Sequence, residues 1–307
     1  MPRMTGDQQQ EYFADGEARL RFGVTALLLG NIALSVGVLF VRIADVGPVA
    51  SAFWRMAIAL PLLFALARRD GVPLTMPRGR VAWLFILSGL FFAADLGAWH
   101  IGALQTKLAN SNLLANAACF LFPIYGFITA RALPSRAQAF ALTLALLGTL
   151  LLIGRSFEVS SQYFVGDLYS LAAGILYTAY LIVIDRVRKV MAQWSALFWT
   201  TLSCMAPLLI AAWLRGEQIW PTNWWPLIGL ALLSQIIGQG LVTYVIGRMS
   251  PTVIGIAILI QPVIAAGLGY MFYHELMGAL DLMGAAMIGL ALVLVRQNSA
   301  ADLRSRA

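Results

Sequence analysis

A few strongly polar side chains lie inside long apolar stretches of this chain, and Asp95 is the most deeply placed acid among them. At about 1.5 Å of rise per residue, it lies roughly 21 Å from residue 81, where its stretch begins. A charge at such depth is costly in an apolar medium and normally faces a cavity or a partner. Asp95 could therefore bind a substrate ammonium or carry a proton, or it could pair structurally with Arg55, the one arginine placed well inside a stretch.

His100 lies about one turn beyond Asp95 and directly follows Trp99. A histidine can transfer protons near neutral pH, which suits a proton pathway. The alternative is a histidine at the membrane interface beside a belt tryptophan. The sequence leaves both interpretations open.

Two pairs of amides repeat the spacing that places side chains on one helix face. Asn112 and Asn116 form the first pair, and Gln235 and Gln239 form the second. Amides offer donors and acceptors that suit both the carboxylate and the ammonium of a zwitterion. The alternative role is hydrogen bonding between helices, which is common for amides in membranes.

The prolines inside the apolar stretches include Pro123 and Pro262, and Gln261 directly precedes Pro262. A proline inside a helix frees a backbone carbonyl about one turn earlier. Such a break is tolerated in a membrane where the chain lines a cavity. This favours a position of Gln261 on a solute pathway.

Aromatic residues occur at similar depths, above all Tyr177, Tyr180 and Trp99. Large rings with a few fixed polar groups make a pocket for flat apolar solutes. The alternative is a lipid-facing or interfacial position, which we expect for Trp220 and Trp224.

The composition requires a lipid environment for these residues: 60% of the 307 residues are hydrophobic, 11% are charged, and the mean hydropathy is +0.80. A spanning helix needs about 20 apolar residues. The sequence therefore predicts an all-α integral membrane protein with ten transmembrane helices. They cover roughly residues 22–43, 48–67, 81–101, 108–130, 137–154, 166–186, 194–214, 224–247, 251–273 and 279–296.

Polar segments flank these helices, residues 1–21 at the N-terminus and 297–307 at the C-terminus. The first segment lacks the apolar core and cleavage site of a signal peptide, so we expect the first helix to be retained. Of the 21 Lys and Arg residues, 16 fall on the side of the N-terminus, 4 fall on the other side, and Arg55 lies within a span. This distribution predicts cytoplasmic termini in a bacterial-type inner membrane. It indicates contact with lipid headgroups and argues against a nucleic-acid groove.

The chain contains one helix sequence twice, because residues 53–63 read FWRMAIALPLL and residues 198–209 read FWTTLSCMAPLL. These are the second and seventh stretches, so the second copy must cross the membrane in the opposite direction. The sequence predicts two inverted five-helix repeats, 22–154 and 166–296, as in many secondary transporters. Residues 95–100 also align without gaps to residues 239–244, which pairs His100 with Tyr244 and makes Tyr244 a candidate as well.

The order of these motifs resembles the drug/metabolite transporter superfamily, and within it the EamA-type proteins, with the aromatic amino acid exporters as the most similar branch. The resemblance rests on Arg55 in FWR, on Gly166-Asp167-Leu168, and on the segment from Pro262 to Glu275. It covers nearly the whole chain and implies structural or gating roles for Arg55, Pro123, Pro262 and Glu275. The first half departs from the pattern, since RALPSR stands where a glutamate would match Glu275.

This resemblance implies export of aromatic and other neutral amino acids, or of related amphipathic metabolites, by alternating access around a midplane cavity. Other metabolites, cationic drugs and a channel are the alternatives. Phosphorylated substrates are disfavoured because phosphate sites cluster Arg and Lys. Enzyme chemistry is disfavoured as well, because HExxH, GxSxG and a P-loop are all absent from the sequence. We expect no cofactor, no metal and no catalytic residue. Internal symmetry allows a single chain to form the whole pathway.

Overall fold

The computed structural model describes residues 6–70, 77–106, 111, 114–154, 162–273 and 278–305. Within these ranges the chain is helical, and one isolated bridge between Ile246 and Met249 is the sole β-type pairing. Asn112 and Glu275, both candidates from the sequence, lie outside the described residues.

Eleven helices are numbered here in chain order over the described residues. They are α1 Gly6–Ile43, α2 Pro48–Arg69, α3 Gly79–Gln105, α4 Ala118–Ala130, α5 Arg136–Gly154, α6 Phe164–Arg188, α7 Gln193–Leu214, α8 Trp225–Val245, α9 Pro251–Ile258, α10 Ile260–Tyr273 and α11 Ala279–Ser305. The middle of α8, Ala231–Gln239, is a π-helix. Helix α1 extends well before residue 22, since residues 6–21 are rich in good helix formers.

Six of the predicted stretches form helices long and apolar enough to span a membrane, so the prediction of a multi-pass helical membrane protein is confirmed. They are Arg21–Ile43, Pro48–Arg69, Gly79–Gln105, Phe164–Arg188, Gln193–Leu214 and Trp225–Val245. The other apolar helices are shorter: Ala118–Ala130, Arg136–Leu151, Pro251–Ile264 and Leu282–Val295. A helix of 13 residues, such as α4, rises only about 20 Å. The count of ten spanning helices therefore stays a prediction.

The helices pack in pairs whose arrangement is consistent with the two predicted repeats, 22–154 and 166–296. Helix α3 packs on α6 and α1 packs on α8, while α2 packs on α7, α4 on α9 and α5 on α11. In the predicted repeats α1 corresponds to α6 and α3 corresponds to α8, so the α3–α6 pair is equivalent to the α8–α1 pair. The other three pairs each join two corresponding helices. This pattern supports the inverted repeat, which itself stays a prediction.

Small residues allow the closest of these approaches. Gly102 of α3 faces Ser170 of α6, and Gly37 of α1 faces Ser234 of α8, and a Cβ at either glycine would collide with the serine hydroxyl. Small residues at such points bring helix backbones together in membranes. The two related interfaces thus use the same pairing of glycine with serine.

Candidate functional site

A partly open cavity of about 70 Å³ lies between α1, α2, α3, α6, α8 and the junction of α9 with α10. Its walls combine one acid, one base, three amides and several rings. The lining residues are Leu34, Arg55, Phe92, Asp95, Leu96, Trp99, Ala115, Asn116, Tyr177, Gln239, Ile258 and Gln261. Seven residues that the sequence analysis singled out therefore meet at one place: Arg55, Asp95, Trp99, Asn116, Tyr177, Gln239 and Gln261.

Asp95 and Arg55 are the two charged residues of the cavity wall. Asp95 is 7% exposed and Arg55 is 2% exposed. Within the described part of the chain, neither an ion pair nor a hydrogen bond joins them, and the Asp95 carboxylate makes no hydrogen bond. The two groups nevertheless interact electrostatically, since each lies within Coulombic range of the other. A buried charge is costly without such compensation.

Arg55 is held from behind by α8. Its Nε donates to Gln235 Oε1 at 3.2 Å, and its Nη2 lies 3.5 Å from the Ser234 carbonyl. Its guanidinium carbon also lies 5.9 Å from the centre of the Phe92 ring. Gln235 Nε2 in turn donates to Thr201 Oγ1 of α7 at 2.9 Å. Gln235 is thus a partner of Arg55 that lies behind the cavity wall.

The cavity also contains polar atoms without a partner. Gln239 is 2% exposed, and its Oε1 is buried without a hydrogen-bond partner among the described residues. The hydroxyl of Tyr177 on α6 is also buried, and it faces the side chain of Gln239. Buried polar atoms are normally hydrogen-bonded, so these two groups are candidate contacts for a solute. Gln239 ends the π-helical part of α8, and π-turns frequently occur at functional sites.

Gln261 is fixed by a residue that the sequence analysis did not select. Its Nε2 donates to Asn31 Oδ1 at 2.6 Å, and Asn31 Nδ2 donates to the Leu27 carbonyl at 2.8 Å. Asn31 is fully buried in α1. The signal was present, since Asn31 is the one asparagine in the apolar stretch 22–43. Helix α9 ends at Ile258, about one turn before Pro262, so the bond anchors the chain where its helix is interrupted.

His100 is buried away from the cavity. Its Nδ1 lies 2.8 Å from Ser51 Oγ and 3.0 Å from the Pro48 carbonyl, which ties α3 to the start of α2. The helix geometry explains why His100 lies off the cavity while Trp99 lies on it. Trp99 is four residues after Asp95 and shares its helix face, whereas His100 is five residues after Asp95 and lies on another face. Its Nε2 is buried without a partner among the described residues.

Two further tyrosines and the first proline also lie outside the cavity lining. Tyr180 stacks on Phe92 with ring centres 4.4 Å apart and forms a layer behind the wall. Tyr244 lies near the end of α8, where Arg248 covers its ring at 4.1 Å. Pro123 packs in α4 against Gly255 of α9.

The described residues contain no group of three or more His, Cys, Asp or Glu that could hold a metal ion. Cys119 and Cys204 are both buried free thiols.

The fold and the cavity together define a multi-pass helical membrane protein with a cavity lined by polar and aromatic side chains. Residues 164–297 match the model of the EamA-like transporter family. The pseudopaline exporter CntI of Pseudomonas aeruginosa, from strains UCBPP-PA14 and PAO1, is 24% identical over 286 residues, which cover 89% of this chain and 95% of that protein. An uncharacterized transporter of Archaeoglobus fulgidus is 23% identical over 276 residues, which cover 88% of this chain and 94% of that protein.

A solved crystal structure has the same fold, with a TM-score of 0.73 at 18% identity, and the match covers 90% of this chain and 97% of that one. At this identity the likeness concerns the fold alone. The chain is thus similar to a transporter family over residues 164–297, and to proteins named as an exporter and as a transporter over most of its length.

Proposed function

We propose that this protein is a secondary transporter that exports small organic solutes across a bacterial-type inner membrane. Its substrates are aromatic and other neutral amino acids or related amphipathic metabolites. Support for transport comes from the EamA-like match over residues 164–297 and from relatives named as an exporter and as a transporter. Support for the substrate class comes from the cavity.

The observation that carries the proposal is an acid, Asp95, and a base, Arg55, that line one cavity without an ion pair or hydrogen bond between them. Asp95 offers a carboxylate to an ammonium group, and Arg55 offers N–H donors to a carboxylate. An amino acid carries both groups on one carbon. The Oε1 atom of Gln239, which lies beside the Tyr177 hydroxyl, adds an acceptor for the same ammonium.

The apolar part of the cavity suits a ring or an aliphatic side chain. Trp99, Phe92 and Tyr177 contribute aromatic faces, and Leu34 and Ile258 complete the apolar wall. Rings pack against aromatic ligands with a gain beyond the buried area alone. These walls favour an aromatic or a large neutral amino acid over a small polar one.

Alternating access follows from the predicted repeats 22–154 and 166–296. The cavity is lined by residues from both halves, including Asp95 of the first and Gln239 of the second. Rocking of one repeat against the other would open such a site to each side in turn. Export loads the substrate from the cytoplasm, which is the side on which both termini are predicted to lie.

Cationic amphipathic drugs are a second candidate class. The Asp95 carboxylate, which lacks a hydrogen bond to any described residue, and the nearby Trp99 ring favour a ligand with a lone positive charge. Arg55 on the same wall disfavours it, because like charges repel.

Uptake into liposomes tests the proposal. Purified full-length protein is reconstituted, and entry of labelled phenylalanine, tryptophan and threonine is measured with and without an imposed pH gradient, beside protein-free vesicles. Saturable uptake that other neutral amino acids inhibit supports the proposal. Uptake at the level of protein-free vesicles refutes the amino acid assignment, and a lipophilic cation in the same vesicles then tests the second class.

A further inference from the structure

The guanidinium of Arg55, on the cavity wall, has N–H donors that make no hydrogen bond to the described residues. Its Nε and Nη2 contact α8, whereas Nη1 makes no hydrogen bond to any described residue. An arginine carries five N–H donors in a rigid planar fork, so fixing one edge of the fork sets the direction of the rest. Whatever holds Nε therefore decides where the remaining donors point.

Gln235 is the residue that holds Nε, and its own orientation is fixed. Its Oε1 accepts from Arg55 while its Nε2 donates to Thr201 Oγ1. A flipped amide would bring its NH₂ group against the guanidinium, donor against donor. Gln235 and Thr201 are both fully buried, and neither lines the cavity.

The neutrality of Gln235 matters as much as its position. A carboxylate in its place would pair with Arg55 and neutralise it, which would remove the attraction for an anion in the cavity. An amide orients the guanidinium and leaves its charge available. We infer that Gln235 and Thr201 are positioning residues that aim Arg55 at the carboxylate of the substrate and so determine selectivity for carboxylate-bearing solutes.

This inference rests on the proposed function for its substrate, but it is tested by binding as well as by transport. The competing explanation is that the chain from Arg55 through Gln235 to Thr201 merely fastens α2, α8 and α7 together. A fastening would affect all ligands alike. A positioning role affects ligands according to whether they carry a carboxylate.

Three ligands with one ring separate these explanations: phenylalanine, phenylethylamine, which lacks the carboxylate, and phenylpropionate, which lacks the ammonium. Binding to the purified full-length protein is followed through tryptophan fluorescence and ligand-dependent melting temperature. The variants are Gln235→Glu, Gln235→Leu and Thr201→Val. Thr200→Val serves as the matched control, because Thr200 is an equally buried neighbour that bonds Ser88 instead, at 3.0 Å.

We expect Gln235→Glu to weaken the binding of phenylalanine and of phenylpropionate by about tenfold or more, as for loss of a charged hydrogen bond. The binding of phenylethylamine should be unchanged or tighter. Thr201→Val should weaken the binding of the same two ligands by less, because Gln235 keeps its hydrogen bond to Arg55 but loses the one to Thr201. Thr200→Val should leave the ratio of the three affinities unchanged. If Gln235→Glu fails to fold, Thr201→Val and Gln235→Leu test the inference instead. Both should weaken the binding of phenylalanine and phenylpropionate more than that of phenylethylamine.

Equal changes in affinity for all three ligands would overturn the inference. They would mean that these hydrogen bonds only hold α2, α8 and α7 together. A wild-type protein that binds neither phenylalanine nor phenylpropionate also overturns it, even if the protein transports amines. If the wild type binds phenylpropionate selectively, Gln235→Glu removes that selectivity and no amino acid is transported, the role of Gln235 is supported and the proposed function is refuted.

Discussion

Asp70 and Glu217 cap opposite ends of the α2–α7 pair in the same way. Asp70 directly follows α2, and its Oδ2 accepts from the backbone N–H groups of Trp194 and Ser195 at 3.1 and 3.2 Å, in the first turn of α7. Glu217 follows α7, and its Oε2 accepts from the backbone N–H of Ala50 at 2.9 Å, in the first turn of α2. Each carboxylate thus satisfies free donors and opposes the positive end of the partner's dipole.

This reciprocal arrangement predicts similar losses when either cap is removed. Asp70→Ala and Glu217→Ala should each lower the free energy of unfolding by about 1 kcal/mol, the usual value for a helix cap. The melting temperature of the purified protein in detergent measures the change. Arg215→Ala is the control, since it removes only the ion pair with Glu217 at 2.9 Å, and such partly exposed pairs contribute little. A larger loss for Arg215→Ala than for Glu217→Ala would contradict the capping role.

A third carboxylate, Asp45, gives stability that depends on pH. It lies between α1 and α2 and accepts from the hydroxyl and backbone N–H of Thr222 and from the N–H of Asn223. The hydroxyl of Thr222 is the main cause that lowers the pKa of Asp45 below its ordinary value of 3.8. A carboxyl with a lowered folded-state pKa stabilises fully above its ordinary pKa and loses that contribution as pH falls through the folded value.

The melting temperature of wild type should therefore exceed that of Asp45→Ala at neutral pH, and the difference should shrink only below about pH 4. Thr222→Val, which removes the hydroxyl donor, should reduce the difference. A gap between wild type and Asp45→Ala that stays constant into the acid range would show that the charge of Asp45 plays no part.

Asp95→Asn tests the acid of the cavity. Asparagine has nearly the same shape but carries no charge and takes up no proton. We expect the substitution to raise the KM for phenylalanine by about tenfold or more, as for loss of a charged hydrogen bond, and to abolish the response of uptake to a pH gradient. Asp185→Asn is the control, because Asp185 pairs with Lys189 at 3.3 Å away from the cavity. Gradient-driven uptake that is unchanged in Asp95→Asn would refute a role of this acid in proton coupling.

Local spacing predicted part of the site, and tertiary contacts decided the rest. Asp95 and Trp99 share the cavity because residues four apart share a helix face. Gln239 also reaches the cavity, yet its partner in the same spacing, Gln235, lies behind the wall against Arg55. The sequence shows neither the π-turns of α8 nor which neighbour an amide meets. Thr201 was missed for this reason, since a threonine in an apolar stretch is indistinguishable from a packing residue until its partner is known.

The bond between Asn31 and Gln261 gives the last prediction, because it joins α1 to the start of α10 at the interruption of the helix. Asn31→Leu should leave the Gln261 amide without its partner, which costs about 1–3 kcal/mol of the free energy of unfolding in buried surroundings. Gln261→Leu should do the same to Asn31. The double variant should lose less than the sum of the two, since no orphaned amide then remains, and the coupling should amount to about 1 kcal/mol.

A second cycle controls for burial alone. Thr149 is equally buried in α5 and bonds only within its own helix, to the Ala145 carbonyl at 2.8 Å. Thr149→Val combined with Asn31→Leu should therefore be additive within about 0.5 kcal/mol. Both cycles are measured by unfolding of the full-length protein in detergent. Additivity in both would mean that Asn31 and Gln261 contribute separately, and α10 would then be held to α1 by packing rather than by this hydrogen bond.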